Sequence, residues 1–171
     1  MPRVSEHTTM ALVRLGVRAS VVRMPQFHSR AKQGFASYLL AHARQTGVSA
    51  DIGAGSNRWP AVHRLDAAQL FRLVLERGET GLHCHAVAEE GVSTREIAEA
   101  IARRLDISAV SLPVEASAGH FGWLDRIARM DVPASSALTR ERLRWHLKAT
   151  PDFLSDIQSA DGDSAWAAAS D

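Results

Sequence analysis

The chain has 171 residues, 46% hydrophobic and 23% charged, the make-up of one globular domain with a single core. With 20 basic and 19 acidic side chains its formal charge is +1, which argues against broad attraction to nucleic acid or to an anionic membrane. A lone cysteine, Cys84, excludes an internal disulfide framework and suits a reducing, cytoplasmic compartment; no signal peptide and no membrane span of roughly 18 apolar residues is expected.

Residues 5–15 (SEHTTMALVRL) read as a helix, with Ser5 as its cap and Gly16 as a left-handed stop. VRASVVRMP (17–25) is a β-branched run closed by Pro25, the pattern of a buried strand. A second helix is predicted over 34–45, ended by Gly47. Ala67, Leu70, Phe71, Val74 and Leu75 then recur at helical spacing, with Asp66 as the expected cap and Gly78 as the stop. GLHCHAVA (81–88) is strand-like. STREIAEAIARRL (93–105) carries a capping box, Ser93 with Glu96, and an apolar face of Ile97, Ala100, Ile101 and Leu105. AVSLPV (109–114) is a third strand, and helices are expected over 120–130 and 139–147. The small, polar residues 159–171 read as a disordered tail. Strands alternating with helices point to an α/β fold with parallel strands.

Three patterns invite a chemical reading. In DIGAGSNRWP (51–60), Gly53 and Gly55 suggest a phosphate cradle, but the third position of GxGxxG is Arg58, and Pro60 stands where a helix should open. No Gly-Lys pair exists for a P-loop either, so the glycines are expected to make a turn. In HCH (83–85) the strand alternation puts His83 and His85 on one face and Cys84 on the other, so the three cannot converge on one zinc. No metal site is expected. STREIAEAIARRLDIS could open a helix-turn-helix, yet its apolar period runs too long for a first helix and Pro113 falls inside the would-be recognition helix.

RWPAVHRLDAAQLFRLVLE (58–76) is the most informative stretch, an extended segment leading into a helix. It resembles the VHxxDxA element of the extended and atypical short-chain dehydrogenase/reductases, the NAD-dependent epimerase/dehydratase group. GVRASVVRMP resembles that family's strand ending in Arg-x-Pro, HAVAEEGVSTREIAEAIARRL a later strand and helix, and TRERLRWHLKATPDFLSDI the closing element. Subgroup phrases are echoed by SNRWPAVHRLDAA, HFGWL (120–124) and PASSA (133–137). The resemblance spans residues 5–158 and covers only the family's second half. The family's glycine-rich loop, ribose-binding acid and Tyr-x-x-x-Lys pair would fall before Met1, with Glu6 and Arg23 matching the spacing that follows the lysine. Tyr38, the single tyrosine, is followed by LLAH and has no lysine at +4. Arg58 stands eight residues before Asp66 where relatives have an arginine at seven, and Arg144-Trp145-His146-Leu147 replaces a GWxP turn.

The expected fold is therefore α/β: an incomplete doubly wound parallel, Rossmann-like sheet with the family's small, mainly helical substrate-binding lobe over 1–158. The resemblance implies an NAD- or NADP-dependent oxidoreductase or epimerase acting on a small hydroxyl- or carbonyl-bearing substrate. It assigns Arg23, Met24 and Pro25 to the cofactor and Gln26, His28, Arg58 and His63 to the substrate, these residues facing one cleft beyond the strand ends. No catalytic residue is assigned, because the family's pair is missing. The chain is read as a truncated member, inactive and cofactor-free on its own. It is expected to self-associate, or to need a partner chain that supplies the missing half. The alternative is a non-catalytic binding module built on the substrate lobe.

Overall fold

The computed structural model describes residues 4–148 and 150–159. Helix α1 (Val4–Arg14) leads through Gly16, at φ +88°, into β1 (Val21–Arg23). There follow β2 (Gln26–Ser29), β3 (Lys32–Gln33), α2 (Ala36–Thr46), β4 (Val48–Ile52), β5 (Arg58–His63), α3 (Arg64–Arg77), β6 (His83–His85) and β7 (Glu89–Ser93). The second half adds α4 (Thr94–Leu105), β8 (Ser108–Leu112), α5 (Val114–Phe121), a 3-10 turn (Gly122–Leu124), α6 (Asp125–Ala128), α7 (Ala137–Leu143) and α8 (Phe153–Ser159).

The strands form three small sheets. β1 pairs with β6 in parallel, and β4 with β8 in parallel. The four-stranded sheet runs β3-β2-β5-β7, with β2 and β5 parallel and the two outer pairings antiparallel. This is the expected α/β architecture with parallel pieces, mixed by antiparallel strands. β5 is the hub, because Trp59 through His63 are all buried. Trp59 and Ala61 face a core of Leu40, Ile97, Ile101, Phe153 and Ile157, contributed by α2, α4 and α8. Val62 faces a second core of Leu70, Leu73, Cys84, Leu143 and Trp145. A strand buried on both faces can carry no alternation of polar and apolar residues, as RWPAVH shows.

Local chemistry explains several boundaries. The Ser93 hydroxyl accepts the Glu96 N–H at 3.2 Å while Glu96 Oε2 accepts the Ser93 N–H at 3.0 Å, the expected capping box at the start of α4. Gly47 ends α2 at φ +75°. Other boundaries move. Ser5 lies inside α1 and does not cap it. The 17–25 strand shrinks to Val21–Arg23, which is half-buried, and Gln26 opens a separate strand in another sheet. The 81–88 strand shrinks to His83–His85, and the helix expected at 120–130 divides at Gly122 (φ +55°) into α5, the 3-10 turn and α6. In α3, Phe71 and Leu75 are exposed although they share the apolar period with buried Ala67, Leu70 and Val74. A strand, β8, follows α4 where a helix-turn-helix would need a second helix. Of the expected tail, Ser159 closes α8, and residues 160–171 lie outside the described residues.

Candidate functional site

His63 caps α3 in place of Asp66. Its backbone is extended, and Nδ1 accepts the Leu65 N–H at 3.3 Å, so the proton of a neutral ring sits on Nε2. Asp66, 1% exposed in the first turn of α3, holds the distant C-terminal segment instead. Its carboxylate accepts the Lys148 backbone N–H at 2.9 Å and the Thr150 hydroxyl at 3.0 Å, and its backbone carbonyl accepts the Trp145 indole N–H at 3.2 Å.

Two more acids tie the same segment. Glu89, opening β7, accepts the Phe153 N–H at 3.0 Å, and Asp156 on α8 accepts from His28 Nδ1 at 2.7 Å. His28 and Asp156 are each 1% exposed. Burial pushes the His28 imidazole below its ordinary value, with Asp156 opposing, and pushes the Glu89 carboxyl above the usual range. A small cavity of about 140 Å³ opens between these groups, lined by His28, His63, Asp66, Glu89, Lys148 and Asp152.

A larger cavity, about 400 Å³, lies just past the end of β1. Pro25, Gln26, Phe27, Phe35 and Tyr38 wall it, with Lys32 as the cationic side chain. Gln26 Oε1 accepts the Phe35 N–H at 2.9 Å and so fixes one wall. The volume suits a small molecule, and apolar walls with a few polar groups are the usual make-up of such a site.

The residues expected to share one cleft are thus divided. Pro25 and Gln26 line the large cavity, whereas His28 and His63 line the small one. Arg58 joins neither: it starts β5, five residues from His63, and its guanidinium makes two hydrogen bonds of 3.1 Å to Asp131. Asp131 raises the arginine and is itself held below the usual carboxylate range by it. Met24 is 40% exposed. Arg23 gives both ends of its guanidinium to Glu6, at 3.2 and 2.9 Å, and Nη1 contacts His85 Nε2 at 3.3 Å. Because that nitrogen accepts, the His85 proton sits on Nδ1, which reaches the Ser135 carbonyl at 3.1 Å. The strand HCH alternates as expected: Cys84 is buried, His83 is exposed and His85 is half-buried. Among the described residues no three His, Cys, Asp or Glu side chains are placed to hold a metal ion. No described helix is long and apolar enough to cross a membrane.

The pairing of Gly53 and Gly55 has a local cause. Both have φ near +60°, and a Cβ on Gly55 would stand 2.6 Å from Arg95 Cβ and 2.7 Å from Asp51 Oδ1. The second glycine makes room for the protein's own side chains, and a strand follows it where a pyrophosphate would need a helix N-terminus. Among the described residues this turn does not fit the pyrophosphate of a dinucleotide. Of the cavity walls that sequence reading missed, Phe27 and Glu89 lie in strands of four or five residues, too short for a clear period, and Phe35 precedes α2.

No family model matches the chain. It is 45% identical over 161 residues to the uncharacterized protein C2A9.02 of Schizosaccharomyces pombe and 41% identical over 157 residues to the uncharacterized protein YLL056C of Saccharomyces cerevisiae. The alignments take in 91% of this chain but 55% and 52% of those proteins, so the chain spans about half the length of the curated relatives it matches. Among solved structures it is similar to DesIV, a dTDP-glucose 4,6-dehydratase from Streptomyces venezuelae solved with NAD, at TM-score 0.67 and 16% identity over 91% of this chain and 47% of that one. The UDP-glucose 4-epimerase of Thermus thermophilus, also with NAD, gives TM-score 0.64 and 16% identity over 91% and 49%. The fold is the Rossmann-like α/β fold seen in these two enzymes, both solved with NAD.

Proposed function

We propose that this chain is the substrate-binding half of an NAD- or NADP-dependent oxidoreductase or epimerase, and that alone it neither holds the cofactor nor turns over substrate. The observation that carries the reading is the large cavity just beyond β1. In open α/β sheets ligands sit past the carboxyl ends of the strands, and Pro25 and Gln26 stand there. Apolar walls and one lysine suit a small hydroxyl- or carbonyl-bearing molecule with an apolar body. Gln26 orients it by hydrogen bonding, Phe27, Phe35 and Tyr38 exclude water, and Met24 and Pro25 border the place of the nicotinamide. His28, His63 and Arg58 take no part in this cavity. The likeness to NAD-dependent dehydratases and epimerases supports the same reading, as does the share of relatives' length that the chain spans.

The test has two arms. Titrating this chain with NADH and NADPH, followed by nicotinamide fluorescence, is expected to give no saturable change; micromolar binding would overturn the cofactor part. Replacing the matching segment of the S. pombe relative with this chain is expected to leave a protein that binds NADPH, and Phe35→Ala in that chimera to raise KM for a small apolar carbonyl. A chimera that binds NADPH but whose KM ignores Phe35 and Tyr38 substitutions would refute the assignment of the cavity.

A further inference from the structure

We propose that one proton held between His28 and Glu89 latches helix α8 and its lead-in onto the sheet, making the docking of that helix sensitive to pH. The imidazole is spoken for on one side, since Nδ1 donates to Asp156 at 2.7 Å. Its other nitrogen, Nε2, is buried, has no hydrogen-bond partner among the described residues, and lies 3.6 Å from Glu89 Oε1. A neutral imidazole protonated at Nδ1 presents a lone pair at Nε2, and an ionised Glu89 presents another. The two acceptors repel, and although Glu89 Oε1 already accepts the Phe153 N–H at 3.0 Å, the buried Nε2 goes without a donor. A single proton between them ends the repulsion and satisfies Nε2, and a shift of a few tenths of an ångström closes the hydrogen bond.

None of the other charged groups around His28 donates to Nε2. His63, from β5, stands edge-on at 5.4 Å and turns its protonated Nε2 toward Asp156 Oδ2 at 3.8 Å. Asp156, from α8, already accepts from His28. Asp66, at the start of α3, is engaged by Lys148 N–H and Thr150. Asp152 and Lys148 flank the cavity from the lead-in, where Asp152 accepts the Ser155 N–H at 2.7 Å. The Phe153 ring closes the remaining side at 5.2 Å.

Burial moves the two partners toward each other, the imidazole down and the carboxyl up, which is the condition for sharing a proton. The signs follow from linkage. Glu89, raised in the fold, contributes stability at low pH that is lost as pH climbs through its raised value. His28, lowered in the fold, contributes stability above its ordinary value that is lost as pH falls through the lowered one. The alkaline direction strips the shared proton and leaves the Nε2 lone pair against the Glu89 carboxylate, which loosens His28 from the lead-in of α8 even though the Phe153 N–H favours the ionised carboxyl.

Hydrogen exchange of the full chain tests this, with α8 amide protection corrected for intrinsic rates and referred to α4. From mildly acid to mildly alkaline pH, α8 is expected to lose about tenfold in relative protection. Glu89→Gln should abolish the dependence, since an amide in place of the carboxyl neither takes up nor releases the proton. A flat profile in the unaltered chain, or the same slope in the variant, overturns the proposal. Nitrogen-15 shifts of the unaltered chain keep it falsifiable if the variant does not fold. His28 Nε2 must move toward its lone-pair value in step with the Glu89 carboxyl, and independent titration overturns it.

Discussion

Replacing Asp66 with alanine separates two readings of this residue, helix cap and long-range tether. The carboxylate is 1% exposed and engages two donors, the Lys148 N–H at 2.9 Å and the Thr150 hydroxyl at 3.0 Å, from a segment more than 80 positions away. Stranding a partly buried donor costs about 1–3 kcal/mol, and two are stranded together, so Asp66→Ala should cost about 3 kcal/mol. A helix cap alone would cost about 1 kcal/mol. Asp66→Asn keeps an oxygen for Lys148 and offers an amide to the Thr150 oxygen, so it should cost about 1 kcal/mol or less. Urea unfolding followed by tryptophan emission reads the difference, with buried Trp145 reporting from the tethered segment itself. If alanine costs no more than a cap, or asparagine costs as much as alanine, the tether is refuted.

Among the described residues β1 has one strand neighbour, β6, and leaves its other edge unpaired, while α1 buries no residue, and Val4 and Leu12 within it and Leu15 just after it are exposed. Size-exclusion chromatography at rising concentration should therefore reveal self-association of this chain; a stable monomer throughout would count against an uncovered face. Cys84 is buried and burial pushes its thiol up, so Ellman's reagent should leave it untouched until urea unfolds the chain. Gly34→Ala puts a Cβ 2.4 Å from Gln26 Oε1 at φ +56°, which should cost roughly 1–2 kcal/mol. It should also weaken binding of an apolar fluorescent dye in the large cavity, and unchanged dye affinity would separate Gln26 from that wall.

Elements whose burial follows polarity could be read from the sequence. α4 combines a capping box with an apolar face, and Ile97, Ala100 and Ile101 are all fully buried. β2 and β4 reverse the rule. In β2 the exposed residue is Phe27 and the buried ones are His28 and Ser29; in β4, Ser49 and Asp51 are buried. Alternation read by hydrophobicity gives the wrong face, or no strand at all, when buried positions are polar and satisfied by hydrogen bonds, as Asp51 is by Ser111. α8 escaped for a related reason: its seven residues are too few to display a period, and Asp156 stands among them at a buried position.

The candidate site divides along the same line. Pro25 and Gln26 could be found because a strand end has a position in an α/β fold, and ligand cavities collect there. The resemblance assigns His28 and His63 to the substrate, yet it does not say which partner lies opposite them. The partners are Glu89 and Asp156, 61 and 128 positions from His28, and no spacing in the sequence pairs either with it. Seen with its contacts, VHRLD is one device in two parts. His63 closes the start of α3, and Asp66 reaches across the second core to hold Lys148 and Thr150. With half-buried Glu89 and buried Asp156 it makes three acids that grip one C-terminal segment at successive points, which seats Phe153 and Ile157 in the first core. A local cap would need only its own helix; this aspartate commits both oxygens to a segment that the sequence places far away, so its role emerges only when the chain has closed.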